Sequence, residues 1–309
     1  MKEHILKPRL RELVYRSIYP CENNRPIRRY VRDKILQRQY HKQKDVKTVP
    51  LEQLQFSLHL VDHCNLNCIG CDHFSPLASP WFADLYETER DLLLLHELIG
   101  EKCRYVHLFG GEPLLHPQIN DFIHLVRKYF PNSDLCILTN GTLLPRMADY
   151  FFTTCLEERV QIRVTRYPIN FDYDKVLNEL QHRGIDVRSN EHVEKTMYMT
   201  PLSRKKDQDA TDSFILCHRS NNCITLRDGK LFTCPMISVI HILNQAFQTQ
   251  YEVGPEDYID LNTVRSYDEI MTKLASPSSF CGYCKMRDMR FGIPWRTSKR
   301  VPEEWIAEP

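Results

Sequence analysis

Residues 55–71 read QFSLHLVDHCNLNCIGC, and this stretch decides how the rest of the chain is interpreted. Its first half alternates and then runs apolar, which is typical of a buried strand. Its second half places Cys64, Cys68 and Cys71 in a C-x3-C-x2-C spacing directly after that strand. Three thiolates on one short loop can hold three irons of a [4Fe–4S] cube and leave the fourth iron open. Because chemistry takes place at open metal positions, the stretch predicts a reactive iron–sulfur loop at a strand end.

Strand and helix patterns alternate after this loop. Further strands are predicted at 105–111, 134–141, 160–167 and 185–190, and helices at 89–102, 119–130, 146–158 and 173–184. Such alternation is typical of parallel β/α units, so the sequence predicts an α/β fold. The pattern breaks over 191–213 and a Cys-bearing part follows. We therefore divide the chain into a basic extension (1–50), a β/α domain (51–213) and a C-terminal domain (214–309).

The composition is that of a globular protein rich in cysteine. Hydrophobic residues make up 42% of the 309 positions and charged residues 26%, which excludes general disorder. No apolar run has the length of a membrane span, and the charged first residues lack a signal core, so a cytoplasmic location is expected. Twelve cysteines in such a chain more often hold metal than form disulfides.

Charge is distributed unevenly along the chain. Residues 1–50 hold 14 Lys and Arg against 5 Asp and Glu, whereas the remaining residues hold 27 against 35. The basic stretch is either a solvated extension or a contact for an anionic surface such as lipid headgroups. It lacks the basic–aromatic interleaving of nucleic-acid binders, so no nucleic-acid partner is expected.

A second motif, Gly110-Gly111-Glu112-Pro113, closes the next predicted strand. With the cysteine triplet it resembles the radical S-adenosylmethionine (radical SAM) superfamily. The resemblance implies a partial (β/α)6 TIM-like barrel whose cysteine triplet binds a [4Fe–4S] cluster and whose open iron chelates SAM. It also implies that Gly110, Gly111 and Glu112 contact the SAM amino group, since glycine lets the backbone come close and a carboxylate accepts from an ammonium. A structural zinc site at the triplet is the alternative, but zinc leaves the second motif unexplained.

Further SAM contacts are implied by position. The family has an aromatic residue just before the third cysteine, where this chain has Gly70, and Phe74 is the candidate replacement beside adenine. Thr165 and Arg166 lie at the end of the strand predicted for 160–167, where the family keeps a polar residue facing SAM. Arg163 becomes the inward residue if the register shifts by one. Asn140, at the end of the preceding strand, is a further candidate.

A second group of cysteines lies in the last third of the chain: Cys217, Cys223, Cys234, Cys281 and Cys284. An Asp228-Gly229 turn within 226–232 predicts a β-hairpin between Cys223 and Cys234. The pattern resembles the shortened SPASM, or twitch, domain of some radical SAM enzymes. That resemblance implies one auxiliary [4Fe–4S] cluster on Cys217, Cys234, Cys281 and Cys284. Cys223 is extra: it replaces Cys217 as ligand, donates hydrogen in catalysis, or is simply buried. Four thiolates also make a zinc site.

The expected activity is radical chemistry on a small polar substrate. In the family, reductive cleavage of SAM yields a 5′-deoxyadenosyl radical that abstracts hydrogen, and flavodoxin or ferredoxin supplies the electron. A twitch-type domain favours dehydrogenation or epimerisation of a carbohydrate or nucleotide-sugar, as an oxidoreductase or epimerase. The alternatives are an enzyme that modifies a peptide, including thioether formers, and a non-catalytic protein that binds iron–sulfur or zinc.

Overall fold

The computed structural model describes residues 53–190 and 192–307, together with eight residues of the basic N-terminal part. Those eight are helical: Lys34, Gln37, Arg38, Tyr40, His41, Lys42, Lys44 and Lys47. Most of the extension predicted for 1–50 therefore lies outside the described residues, and its contact with an anionic surface stays a prediction.

Ten strands and seven α-helices make up the described ranges. The strands are β1 (Leu54–Val61), β2 (Cys103–Gly110), β3 (Asp134–Thr139), β4 (Gln161–Val164), β5 (Val187–Ser189), β6 (Thr196–Met199), β7 (Thr225–Arg227), β8 (Lys230–Phe232), β9 (Ile259–Asp260) and β10 (Arg290–Pro294). The helices are α1 (Leu85–Ile99), α2 (Ile119–Tyr129), α3 (Asp149–Glu157), α4 (Tyr173–His182), α5 (Ala210–Leu216), α6 (Pro235–Phe247) and α7 (Tyr267–Leu274). Short 3₁₀ helices lie at Ser75–Leu77, Gly100–Lys102, Pro113–Leu115, Leu144–Arg146, Pro255–Asp257, Ser279–Tyr283, Met286–Asp288 and Pro302–Glu304. Each helix of the described ranges is too short or too polar to cross a bilayer.

A mostly parallel sheet forms the centre of the fold. Strands β1 to β5 pair in the order β5-β4-β3-β2-β1, and each neighbouring pair is parallel. Helices α1 to α4 alternate with these strands along the chain. The α/β class and the TIM-like partial barrel expected from the sequence are confirmed.

The two faces of the parallel sheet differ in chemistry. Alternate strand residues such as Phe56, Val106 and Ile137 are fully buried and share one apolar core with residues of α1 to α4. The residues between them, among them His107 and Arg163, point to the opposite face, because side chains alternate along a strand. This opposite face, which we call the inner face, is turned away from the helices as the interior of a partial barrel is.

The sheet continues into the Cys-rich region. β7 pairs parallel with β1, and β8 and β9 follow in antiparallel order. β7 and β8 form the predicted hairpin, and its turn residues Asp228 and Gly229 both have positive φ, as a two-residue turn requires. A sixth parallel strand is therefore supplied by the region that carries the second cysteine group.

The C-terminal part contains elements that the sequence pattern did not predict. β6 lies in the stretch where no element was expected and pairs antiparallel with β10. α6 lies in the Cys-bearing part, for which the sequence predicts only the hairpin within 226–232. Its residues are apolar on nearly every side, which hides the helical period. α6 shares a second core with Phe74, Phe280 and Trp305. α5 runs across the boundary drawn at 213/214, and the division into domains stays a prediction.

Candidate metal centre and active site

The first three cysteines lie on the loop that follows β1. Cys68 is buried, and Cys64 and Cys71 are half-buried. Burial raises the pKa of the Cys64 thiol to about 12 and that of Cys68 to about 11, and the neighbouring thiols of the loop raise both further. All three cysteines lie within eight consecutive residues of the loop. Such thiols lose their protons only beside a strong positive charge, which iron supplies.

Hydrogen-bond donors from distant parts of the chain approach these sulfurs. The Trp295 indole Nε1 donates to Cys68 Sγ at 3.1 Å, and Asn140 Nδ2 donates to Cys64 Sγ at 3.8 Å. Asn140 Nδ2 also donates to Asn65 Oδ1 at 2.8 Å, which fixes the amide beside the loop. Donors of this kind stabilise the extra negative charge on cluster sulfurs. The donor set therefore suits an iron–sulfur cluster, and Trp295 is a site residue that no sequence motif indicated.

The Gly-Gly-Glu motif lies directly against the cysteine loop. Gly111 N donates to Val61 O at 2.6 Å, and Glu112 N donates to His63 O at 3.1 Å. A side-chain carbon on Gly111 would lie 2.1 Å from His63 O, and one on Gly110 would lie 2.4 Å from Val61 O. Only glycine permits this approach, so the two motifs form one unit at the carboxyl ends of β1 and β2.

The Glu112 carboxylate is fully buried within that unit. Its Oε1 accepts from Thr139 Oγ1 at 2.7 Å and from Leu114 N at 3.1 Å, and its Oε2 accepts from Asn140 N at 3.0 Å. Burial raises the pKa of Glu112 to about 7, although these three donors oppose the shift. The carboxylate therefore ties the second motif to the end of β3. Its contact with the SAM amino group stays a prediction.

Comparison with known families matches the same part of the fold. Residues 58–187 match the family model described as Radical SAM superfamily, and that range contains both motifs. This chain has a radical SAM domain. The family uses a [4Fe–4S] cluster and SAM, and the donor set on the cysteine loop fits that cluster.

Similar proteins resemble only parts of the chain. The protein named GTP 3′,8-cyclase from Sulfurovum sp. (strain NBC37-1) is 24% identical over 174 residues, which cover 52% of this chain and 50% of the relative. The protein of the same name from Microcystis aeruginosa (strain NIES-843 / IAM M-2473) is 33% identical over 118 residues, covering 37% and 36%. The matched region thus spans half or less of these relatives. The solved structure of BtrN in complex with AdoMet and 2-DOIA is 16% identical, with a TM-score of 0.46 over 82% of this chain and 98% of BtrN.

The other residues expected to contact SAM are Phe74, Thr165 and Arg166, and each has contacts within the protein. Phe74 is fully buried and packs on Trp305, with ring centroids 6.3 Å apart. Arg166 forms an ion pair with Asp174, and Thr165 N donates to Thr139 O at 3.0 Å beside the Glu112 network. The predicted contacts of Phe74, Thr165 and Arg166 with SAM stay predictions.

Two aspartates flank the radical SAM loop, and each binds a buried arginine of the C-terminal region. Arg227 in β7 donates to both oxygens of Asp62, at 2.5 and 3.1 Å. Arg219 donates to both oxygens of Asp72, at 2.5 and 2.9 Å. Bidentate pairs of this kind are strong and fix orientation. We call these two pairs the arginine clamp, because they hold the loop at both of its ends.

A buried histidine adjoins one pair of the arginine clamp. His59 Nε2 lies 2.7 Å from Asp62 Oδ1, and both side chains are at most 5% exposed. Burial acts against ionisation of Asp62, but His59 and Arg227 hold its pKa well below the usual value. Asp62 is therefore charged, and its charge is matched by Arg227.

Four cysteines from three segments meet in the C-terminal region. Cys217 ends α5, Cys234 precedes α6, and Cys281 and Cys284 belong to one 3₁₀ turn. Burial raises the pKa of Cys281 to about 12, and Cys217 raises it further. Burial also raises the pKa of Cys284, and the thiols of Cys281, Cys234 and Cys217 add to that shift. Cys284 packs against the core that contains Cys217 and against the core that contains Cys234, so the three segments converge on one region.

Cys223 is half-buried, and its backbone N donates to Arg219 O at 2.8 Å. Burial is the main cause that raises its pKa to about 11; Asp72 and Cys217 add to the shift, and the positive charges of Arg219 and Lys47 oppose it. Its predicted roles, as alternative ligand or hydrogen donor, stay predictions. Within the described ranges, no three His, Cys, Asp or Glu side chains are arranged to hold a single metal ion.

Lys47 reaches this four-cysteine group from the N-terminal part of the chain. Its side chain is buried, and its Nζ donates to the Cys217 carbonyl, to Ser220 O at 2.9 Å and to Ser220 Oγ at 2.7 Å. Burial lowers the pKa of Lys47, while the thiols of the group raise it. Composition places Lys47 in a basic stretch and does not predict its burial.

The inner face of the radical SAM domain presents polar groups between the two motifs and β5. In the sheet register His107 lies beside Ser57 and Cys136, and Arg163 lies beside Leu138 and Arg188. Arg163 Nε donates to Gln161 Oε1 at 2.6 Å. Burial lowers the pKa of His107 to about 4, and the Arg163 charge lowers it further. Arg163, named above only as the alternative to Thr165 and Arg166, is thus an inward residue.

Proposed function

We propose that this chain is a radical SAM enzyme that cleaves SAM reductively and abstracts hydrogen from a small polar substrate of the carbohydrate or nucleotide-sugar class. The inner face carries the proposal. It carries His107 on β2 and Gln161 and Arg163 on β4, with β3 between them, in the sheet whose carboxyl edge holds both radical SAM motifs. Guanidinium, amide and neutral imidazole together recognise hydroxyl and phosphate oxygens. Dehydrogenation or epimerisation is the reaction class that we favour.

The residues of this chain have separate tasks in that reaction. Cys64, Cys68 and Cys71 would hold the cluster, and Trp295 and Asn140 would stabilise charge on its sulfurs. SAM, when bound and reduced there, supplies the 5′-deoxyadenosyl radical for hydrogen abstraction. The Gly110–Gly111 backbone lets the second motif lie directly against the cysteine loop, and the methionine end of SAM would bind beside both.

We also propose an auxiliary [4Fe–4S] cluster on Cys217, Cys234, Cys281 and Cys284. Its support is that three segments far apart in sequence bring their cysteines to one region, where Cys284 packs against the cores that contain Cys217 and Cys234 and all four thiols are free. Two buried cations, Lys47 and Arg219, lie beside them. An electron removed from a substrate radical has an acceptor at such a cluster.

A second candidate is a purine nucleotide as substrate. The observation in its favour is that two relatives with 24% and 33% identity carry the name GTP 3′,8-cyclase. The same inner-face arginine would then bind a phosphate. In that case the product is cyclised rather than oxidised.

Isotope transfer into 5′-deoxyadenosine tests these assignments. Reconstituted enzyme is incubated anaerobically with SAM, dithionite and either deuterated GTP, deuterated nucleotide-sugars, or the low-mass fraction of a deuterated cell extract. We expect deuterium in 5′-deoxyadenosine from the nucleotide-sugars or from the low-mass fraction. Transfer from GTP alone would favour the second candidate, and transfer only from a protease-sensitive fraction would contradict both in favour of peptide modification.

An Arg163→Gln variant tests the role of the inner face. Loss of one charge-assisted hydrogen bond to substrate, about 1.5–3 kcal/mol, should raise KM about 10–100-fold. SAM cleavage without substrate should be unchanged. Arg183→Gln, which alters an exposed ion pair after α4, is the matched control and should behave as wild type. An unchanged KM in Arg163→Gln would place substrate elsewhere.

A further inference from the structure

Lys47 is a buried cation in contact with the four-cysteine group. Its side chain is 4% exposed, and its ammonium donates to the carbonyl of Cys217 and to both oxygens of Ser220. The Phe214 ring centroid lies 5.4 Å from Nζ and covers the charge with an apolar face. These contacts fix the position of the charge rather than leave it on a flexible stem.

The charge of Lys47 has no acidic partner in the part of the chain that the structure describes. No Asp or Glu there lies within ion-pair distance of Nζ, whereas Arg219, the other buried cation nearby, is matched by Asp72. A buried ammonium is costly unless an anion compensates it. The groups that act on it electrostatically are the thiols of Cys217, Cys281, Cys234 and Cys223. The compensating anion is therefore expected at the cysteines.

A four-thiolate iron–sulfur cluster held by these cysteines would supply that anion. Four thiolates on an oxidised [4Fe–4S] core carry a net negative charge, and reduction adds one more electron. A fixed positive charge beside the cluster stabilises the reduced form more than the oxidised form, which raises the reduction potential. Hydrogen bonding to the Cys217 carbonyl also orients the chain that carries one ligand.

We propose that Lys47 is a positioning residue of the auxiliary site, which ties the basic N-terminal segment to the four-cysteine group and raises the reduction potential of the cluster held there. The proposal rests on the auxiliary cluster proposed above. It gives the N-terminal segment an intramolecular role, because that segment contributes the buried cation beside the cluster.

The test uses Lys47→Met in the full-length chain, with Cys68→Ala as background so that the auxiliary cluster alone is observed. Lys42→Met is the matched control, since Lys42 is an exposed lysine of the same segment. The midpoint potential is measured by a redox titration followed by electron paramagnetic resonance. We expect the equilibrium of Lys47→Met to move at least tenfold toward the oxidised form, a fall of about 59 mV or more for one electron, and Lys42→Met to match the background.

Three results would overturn the proposal. One is an unchanged midpoint in Lys47→Met with iron content intact. If Lys47→Met does not retain iron, the variants Lys47→Arg and Lys47→Gln test the role of the charge. A charge role requires that Lys47→Arg retain both the iron and the midpoint potential and that Lys47→Gln behave like Lys47→Met. If Lys47→Arg and Lys47→Gln both lose iron, or both retain it with the same midpoint potential, Lys47 contributes packing and not charge. A background protein that binds zinc instead of iron would refute the auxiliary cluster itself, which is a separate failure.

Discussion

The two cysteine groups of this chain are built in opposite ways. Cys64, Cys68 and Cys71 lie within eight consecutive residues at the end of one strand, and two of them are half-buried. The second group draws its cysteines from three segments that span residues 217–284 and places them against buried cations. Three ligands would leave one metal position of a cluster open, whereas four ligands would enclose a cluster completely. The contrast fits our proposal that SAM reacts at the loop and that the C-terminal group stores an electron.

The arginine clamp joins these two regions. Arg219 lies two residues from Cys217 and binds Asp72, which directly follows Cys71. Arg227 in β7 binds Asp62 at the other end of the loop. The C-terminal region therefore holds the loop in place in addition to carrying its own cysteines.

The largest effect is expected from Cys68→Ala. Removing one of three ligands should eliminate the loop cluster and reduce the formation of 5′-deoxyadenosine to background, while about four irons remain on the C-terminal group. Iron analysis and chromatography of the reaction mixture measure both. Formation of 5′-deoxyadenosine at a wild-type rate would end the assignment of the reactive cluster to this loop.

Cys281→Ala should remove the C-terminal cluster and leave the loop cluster intact, the reverse of the effect of Cys68→Ala. We expect loss of the auxiliary iron and of substrate conversion, with SAM cleavage retained, because the loop keeps all three ligands. Cys155→Ala is the matched control, since Cys155 is a buried core thiol outside both groups. Equal substrate conversion by Cys281→Ala and the control would show that the C-terminal group is not needed for turnover.

Arg227→Met tests the clamp. Both members of the Arg227–Asp62 pair are 5% exposed, so removing the arginine leaves a buried, unmatched carboxylate and should cost about 3–5 kcal/mol of unfolding free energy. Arg287→Met, which breaks an exposed pair with Asp212, should cost less than about 1 kcal/mol. Urea unfolding of the two variants measures the difference. Equal midpoints would mean that the loop is held by other contacts.

The smallest effect is expected from Trp295→Phe. The variant keeps the ring beside the loop and removes the N–H that donates to Cys68 Sγ, so SAM cleavage should fall about tenfold and the loop cluster should become harder to reduce. Trp305→Phe removes an indole N–H that donates to the Cys71 carbonyl instead, and should leave the potential unchanged. Identical potentials in both variants would show that the bond to sulfur is unimportant.

What the sequence predicted depends on how local each feature is. The cysteine loop, the Gly-Gly-Glu motif and the parallel strands are short contiguous patterns, and all were found in advance. The 228–229 hairpin turn was likewise identified from two residues. α6 was missed because a helix buried nearly all round shows no apolar stripe. Trp295, Lys47 and the arginine clamp were missed because each acts on residues more than 140 positions away, and no spacing rule reports such contacts.

The central claim is that the loop after β1 and the Gly-Gly-Glu motif together cleave SAM. Its most direct test is anaerobic reconstitution of the wild-type chain with iron and sulfide, followed by dithionite and SAM, with 5′-deoxyadenosine and methionine quantified over time. The account predicts that both products form in equal amounts and only with reductant present. Absence of 5′-deoxyadenosine from a preparation that carries its full complement of iron would contradict it.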